Sequence, residues 1–317
     1  MDTPDISGVS EGIKESIKAD IEEKLQEEEL LPTCNIGISI SDSQDLDILG
    51  FTNLHIQDAM VEIARYLLVN NCKLIYGGDL RKGGFTYIFS ELAKLYSTPK
   101  NYDSFRVANY FAWPIHINLL RLDDSEFKAS NIQVVKLLPP PEITVDDKIF
   151  IKPDNIDNRV IWSKSLSHMR TEVVKNTQAR IIIGGQATNF MGLMPGVLEE
   201  FLVSIRSNQP VFLCGAFGGI TKAIIETLFD SNNHYISDEF QTQNIAYKEF
   251  FNHWNTTEAD KISYPSIAHE IKDLGVGGLS KLNGLSIDDN KRLFQTPHIP
   301  EMIFLILKGL KGLRLLN

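Results

Sequence analysis

The chain has 317 residues, 43% hydrophobic and 23% charged, which excludes a disordered polymer and a disulfide-stapled mini-domain and allows a sizeable core. Its formal charge of -10 argues against the broad positive surface that phosphate-backbone binding needs, so no nucleic-acid partner is expected. Three cysteines, Cys34, Cys72 and Cys214, without C-x-x-C spacing, read as buried free thiols of a reducing cytoplasm, and no metal site or cofactor is expected.

Part of the negative charge is local. "SEGIKESIKADIEEKLQEEELL", residues 10–31, is predicted to be an acidic helix with an apolar stripe at Ile13, Ile17, Ile21 and Leu25, closed by Pro32. Residues 1–33 are therefore read as a helical extension. No basic leader with an apolar core opens the chain, and no apolar run reaches the length of a membrane span, so a cytoplasmic protein without a membrane partner is expected.

From Asn35 the pattern is strand, loop, helix, repeated. "NIGISIS" alternates as a strand, "HIQDAMVEIARYLLVNN" is an amphipathic helix, "CKLIYGG" a strand and "GFTYIFSELAKLY" a helix. "FRVANYFAWPIHINLL" and "IQVVKLL" supply strands, and "LPPPEITVDDKIFIKPDN" is a Pro-rich connection. "SKSLSHMRTEVVKNT" reads as a helix, "ARIIIGG" as a strand, "PGVLEEFLVSIRSN" as a helix, "PVFLCG" as a strand and "GGITKAIIETLF" as a helix. Beyond Phe229 the texture becomes polar and aromatic, with "GVGGL" read as a loop, and residues 231–317 are expected to form a helical subdomain on the sheet. The whole predicts an α/β fold: a doubly wound, mainly parallel, Rossmann-like sheet over residues 34–230.

Such a sheet binds ligands at the carboxyl ends of its strands. Three strands end there in glycine: Gly77-Gly78, Gly184-Gly185 and Gly215. Glycines before a helix N-terminus let amides approach an anion, although tight βα turns use glycine for geometry alone. Ser39, Ser41 and Asp42 end the first strand and would line the same crevice, as would Asp79 and Arg81 in a glycine-flanked loop. Gln186 and Gly196 bracket the loop after Gly185. Glu199 and Glu200 fall in the first turn of a helix, where a carboxylate complements the dipole, and one of them pointing back over the loop would meet a ribose or an oxocarbenium-like centre. Arg170 is the cation to face a phosphate or that glutamate. His116, His168, Trp113 and Tyr110 are alternatives for proton transfer or stacking, against a plain core reading.

"LIYGGDLRKGGFT", "HMRTEVV", "RIIIGGQ" and "PGVLEEF" follow in order the pattern of the LONELY GUY and DNA-processing-protein superfamily, called SLOG, which the chain resembles over roughly Asn35 to Phe229. The resemblance implies that Arg170 takes the place of the catalytic arginine of nucleotide-cleaving members, Glu199 or Glu200 that of the catalytic glutamate, and Gly184 and Gly185 those of the phosphate-loop glycines. The chain departs from them at Ile183 and Thr171, and in the longer loop "QATNFMGLMPG". "ISISDSQDLDILGF" and "GGDLRKGGFT" resemble SLOG domains associated with bacterial TIR and sirtuin-like effectors. That likeness implies a sensor of a nucleotide- or NAD-derived signal of the ADP-ribose type, working with a separate effector protein and as a homo-oligomer. The alternatives are an N-glycosidase acting on nucleoside 5′-monophosphates through Arg170 with Glu199 or Glu200, and an interaction protein with a vestigial pocket.

Overall fold

The computed structural model of the protein describes residues 34–78, 84–96, 105–118 and 132–316. The expected acidic helix, Asp79 and Arg81 lie outside the described residues. Six strands form one sheet: β1 (Asn35–Ser41), β2 (Lys73–Gly77), β3 (Val107–Phe111), β4 (Ile132–Lys136), β5 (Ala179–Gly184) and β6 (Val211–Cys214). All neighbours pair parallel, in the order β4-β3-β2-β1-β5-β6. The order reverses between β1 and β5, so the topological switch point opens at Ser41 and Gly184.

The helices cover both faces, as a doubly wound Rossmann-like sheet requires. On one face α1 (Asn53–Val69) and α2 (Phe85–Tyr96) meet the C-terminal helices α9 (Ile287–Gln295) and α10 (Ile299–Gly312). In α1, Ile56, Met60, Ile63 and Leu67 recur at helical spacing and are all at most 1% exposed. Each such burial contributes about 1.5–3 kcal/mol, so this stripe alone anchors the helix. Ile36, Ile38 and Ile40 of β1 meet that face. The other face carries α3 (Ile156–Lys175), α4 (Gly196–Arg206), α5 (Gly219–Leu228), the short α6 (Asp238–Gln241), α7 (Ile245–Thr257) and α8 (Tyr264–Asn283).

Three local expectations are corrected. The helix expected from Ser163 begins at Ile156, because the Asn155 side chain accepts from Asn158 N at 2.9 Å and caps it seven residues earlier. The strand expected to run through His116 stops at Phe111, and His116 sits in a 3-10 turn with Nε2 2.7 Å from the Leu137 carbonyl. The "GVGGL" stretch is not a loop: only Gly275 (φ 53°) leaves helical geometry, and two helical segments of α8 meet there at a kink.

A buried charge cluster between the sheet and two helices

The alternation of β1 has an internal cause. Its second face, Gly37 and Ser39, is covered by protein rather than water, with Ser39 only 2% exposed. Arg180, the one charged residue of β5, pairs in register with Gly37, whose bareness leaves room for the guanidinium. Arg180 Nη1 donates to Ser39 Oγ at 2.7 Å and to Glu200 Oε2 at 3.0 Å, and Nε donates to Ser204 Oγ at 2.8 Å. Ser39 in turn donates to Glu200. Ser204 donates to Gln209 Oε1 at 2.9 Å, and Gln209 Nε2 donates to the Thr177 carbonyl at 2.8 Å, tying the cluster to the end of α3. Burial pushes the Arg180 pKa below its ordinary value, and the Glu200 carboxylate opposes that shift.

Beside it lies the second ion pair. Arg170 of α3 donates through Nη1 to Glu199 of α4, and Ser167, one turn earlier, donates to the other carboxylate oxygen. Arg170 and Glu199 are 8% and 5% exposed. Arg170 Nε lies 3.8 Å from Glu200 Oε1 and has no hydrogen-bond partner. The cluster thus sets two guanidinium groups against two carboxylates, a formally neutral group in which Arg170 is the shared cation.

The long loop closes over this pair. A Cβ on Gly192 or on Gly196 would come within 2.8 Å of an Arg170 guanidinium nitrogen, so both positions are bare because backbone lies on the side chain. Side chains from neighbouring helices grip the loop's carbonyls: Gln241 Nε2 donates to Ala187 O at 3.1 Å, Ser163 Oγ to Met191 O at 2.9 Å, and Tyr247 OH to Leu193 O at 2.6 Å. Tyr247 is 3% exposed, and its phenol is held well above its ordinary pKa by burial, so it stays a donor.

The remaining candidates divide. Ser41 accepts from Gly185 N through its carbonyl at 3.1 Å and from Gln186 N through Oγ at 3.0 Å, joining the ends of β1 and β5. Gly184 (φ 67°) and Gly185 (φ 107°) hold left-handed turns, and a Cβ on Gly185 would meet Val197 and Ile220 at 3.0 Å. Asp42 follows, half-buried. Gly77 adjoins Met169, the neighbour of Arg170, and Gly78 adjoins Asn109. Gly215 is packed against Ile225 and the Phe294 carbonyl, which accounts for its lack of a side chain. The N-terminus of α5 already holds an internal carboxylate, since Gly219 N donates to Asp45 Oδ2 at 2.7 Å, and Tyr235 OH donates to Oδ1 at 2.7 Å.

Arg180, Ser167 and Asp45 were not singled out from the sequence. Arg180 had a readable signal, a lone charge inside a continuous apolar strand. Asp45 had none, being one of several acids in a polar loop.

A cleft of about 260 Å³ lies on the far side of the loop, lined by residues that include Arg159, Phe190, Met191 and Tyr247. A larger one, about 590 Å³, between the His234 turn and α8 holds none of the candidate residues. The family model for SLOG cluster2 matches residues 30–293. No curated protein matches the chain.

Proposed function

The chain belongs to the SLOG family, a membership that points to a nucleotide-related function, and from that premise we propose that it is a sensor binding a nucleotide- or NAD-derived small molecule of the ADP-ribose type. The ligand's phosphate is taken up at Arg170. One observation carries this reading: Arg170 and Glu199 are paired, buried and capped by Gly192 and Gly196. A catalytic cleft presents its acid and base to substrate, whereas this pair is neutralised from within. An anionic ligand reaches Arg170 only by competing with Glu199 and displacing the backbone at Gly192, which couples occupancy to α7 through the Tyr247 hold on Leu193. The readout then passes to a separate effector or a second copy of the chain, in bacterial signalling or defence, as the likeness to TIR- and sirtuin-associated domains implies.

A second reading, hydrolysis of a nucleotide's N-glycosidic bond through Arg170 with Glu199 or Glu200, rests on the direct Arg170–Glu199 contact and on the resemblance to nucleotide-cleaving members. Thermal shift against AMP, ADP-ribose, cyclic ADP-ribose isomers and NAD, followed by chromatography of each mixture, separates the two. A ligand at a hundred times its Kd stabilises by roughly 2.7 kcal/mol. A shift with the ligand recovered intact is the expected result. Released base or nicotinamide makes the protein a hydrolase, and no shift with any probe removes the nucleotide reading.

A further inference from the structure

The loop that covers Arg170 has a second side. Met191 lines the 260 Å³ cleft while the next residue, Gly192, lies on the Arg170 guanidinium, so one strand of backbone separates the charge cluster from the cleft. Two aromatic side chains, Phe190 and Tyr247, line the cleft beside Met191 and Arg159. Phe190 meets Tyr247 edge to face with centroids 4.8 Å apart, and the Arg159 guanidinium lies over Tyr247 at 5.7 Å and over Phe250 at 4.8 Å.

Its polar groups are placed for reading an edge rather than for holding a charge. Gln241 spends its Nε2 hydrogens on the Ala187 and Tyr235 carbonyls, leaving the amide oxygen as acceptor. Asn244 spends its oxygen on Tyr247 N, leaving its amide hydrogens as donors. Arg159 Nε is buried without a partner, although both its terminal nitrogens are engaged, with Ala246 O at 2.8 Å and Phe190 O at 3.5 Å. Among the described residues, none that lines the cleft is acidic. Its volume is below the roughly 300–1,000 Å³ of a complete small-molecule site, which leaves room for one ring system and not for a dinucleotide.

We propose that this cleft is a base subsite: it takes a flat, neutral nitrogen heterocycle against the side chains of Phe190, Met191 and Tyr247, with the Gln241 acceptor and the Asn244 donors reading its edge. The proposal deepens the function above and rests on it, making the cleft the nucleobase end of a ligand whose phosphate end lies toward Arg170. It also gives the segment beyond Phe229 a role, because α6, α7 and the cap between them supply Gln241, Asn244, Ala246 and Tyr247.

The test uses the full chain and two variants that spare the charge cluster. Ala246→Phe fills the cleft from an exposed position, and Asn189→Gly keeps the left-handed backbone of Asn189 (φ 59°) while removing an exposed rim amide. Calorimetric titrations with AMP, ADP-ribose, adenosine and ribose 5-phosphate are compared. Expected is at least about tenfold weaker binding of the three base-containing probes to Ala246→Phe, a smaller loss for Asn189→Gly, and unchanged ribose 5-phosphate binding. If AMP or ADP-ribose binds the variants as it binds the wild type, the base subsite is overturned while the nucleotide reading stands. If adenosine alone binds and Ala246→Phe blocks it, the subsite stands and the phosphate-site reading falls. If no probe binds the wild type, both are overturned.

Discussion

Arg180 and Glu200 meet at 3.0 Å inside the sheet–helix interface, where the arginine is 1% exposed and its burial is answered by a single carboxylate and two serine hydroxyls. Removing one partner of a buried pair leaves the other charge uncompensated, so Arg180→Ala is expected to cost about 3–5 kcal/mol in denaturant unfolding. Arg180→Lys should recover little of it, because an ammonium cannot reach Ser39, Ser204 and Glu200 with one planar fork. A loss of under about 1 kcal/mol for Arg180→Ala would mean that the cluster is hydrated and not a structural unit.

An exposed mid-helix arginine can be removed with stability nearly unchanged, and Arg170 is not one. At 8% exposure and paired with Glu199, it should instead cost about 3–5 kcal/mol when replaced by alanine. Gly192→Ala separates loop closure from charge: its Cβ pushes on Arg170 without removing it. Expected is altered affinity for the ligand that the thermal-shift screen identifies, with a smaller stability loss than Arg170→Ala. Identical affinity in Gly192→Ala and wild type would detach the loop from the site.

How far the sequence reached is instructive in particulars. The parallel order was legible because β2, β5 and β6 are continuous apolar runs separated by amphipathic helices, and periodicity reports burial directly. An Arg170 contact with a glutamate was anticipated from the first turn of α4 and from the resemblance; spacing did not say that α3 and α4 would face each other across Gly192. β1 was half legible. Its Ile/Gly/Ser alternation has the pattern of a strand with one wet face, and only the tertiary placement of Arg180 shows that the second face is a buried polar layer. The start of α3 was missed because its first turn, "IDNR", is mostly polar and depends on the Asn155 cap.

The thiols give a clock for unfolding. Cys214 is fully buried, and its thiol is pushed up to about 12 by that burial. At pH 8 on the order of one molecule in ten thousand would carry the reactive thiolate even with free access. Cys34 and Cys72 are buried as well. A maleimide-type reagent should therefore label none of the three natively, and all three at the rate of global unfolding. Fast native labelling of Cys214 would place an opening motion in β6.

Acid stability should report one capping pair. Asp289, in the first turn of α9, accepts from Lys308 Nζ at 2.7 Å and from Ser286 Oγ at 2.7 Å, and these bonds hold its carboxyl below the ordinary value. The sign follows from linkage: a pKa lower when folded than the roughly 3.9 of an unfolded aspartate adds stability that is present above that pH and lost as pH falls through the folded value. Asp289→Asn should lower Tm by a constant amount between about pH 5 and 8, and the gap to the wild type should close below about pH 4. Melting curves at pH 7 and pH 3 check it. A gap of the same size at both would assign the loss to packing of α9 on α10 and leave the carboxylate no part in it.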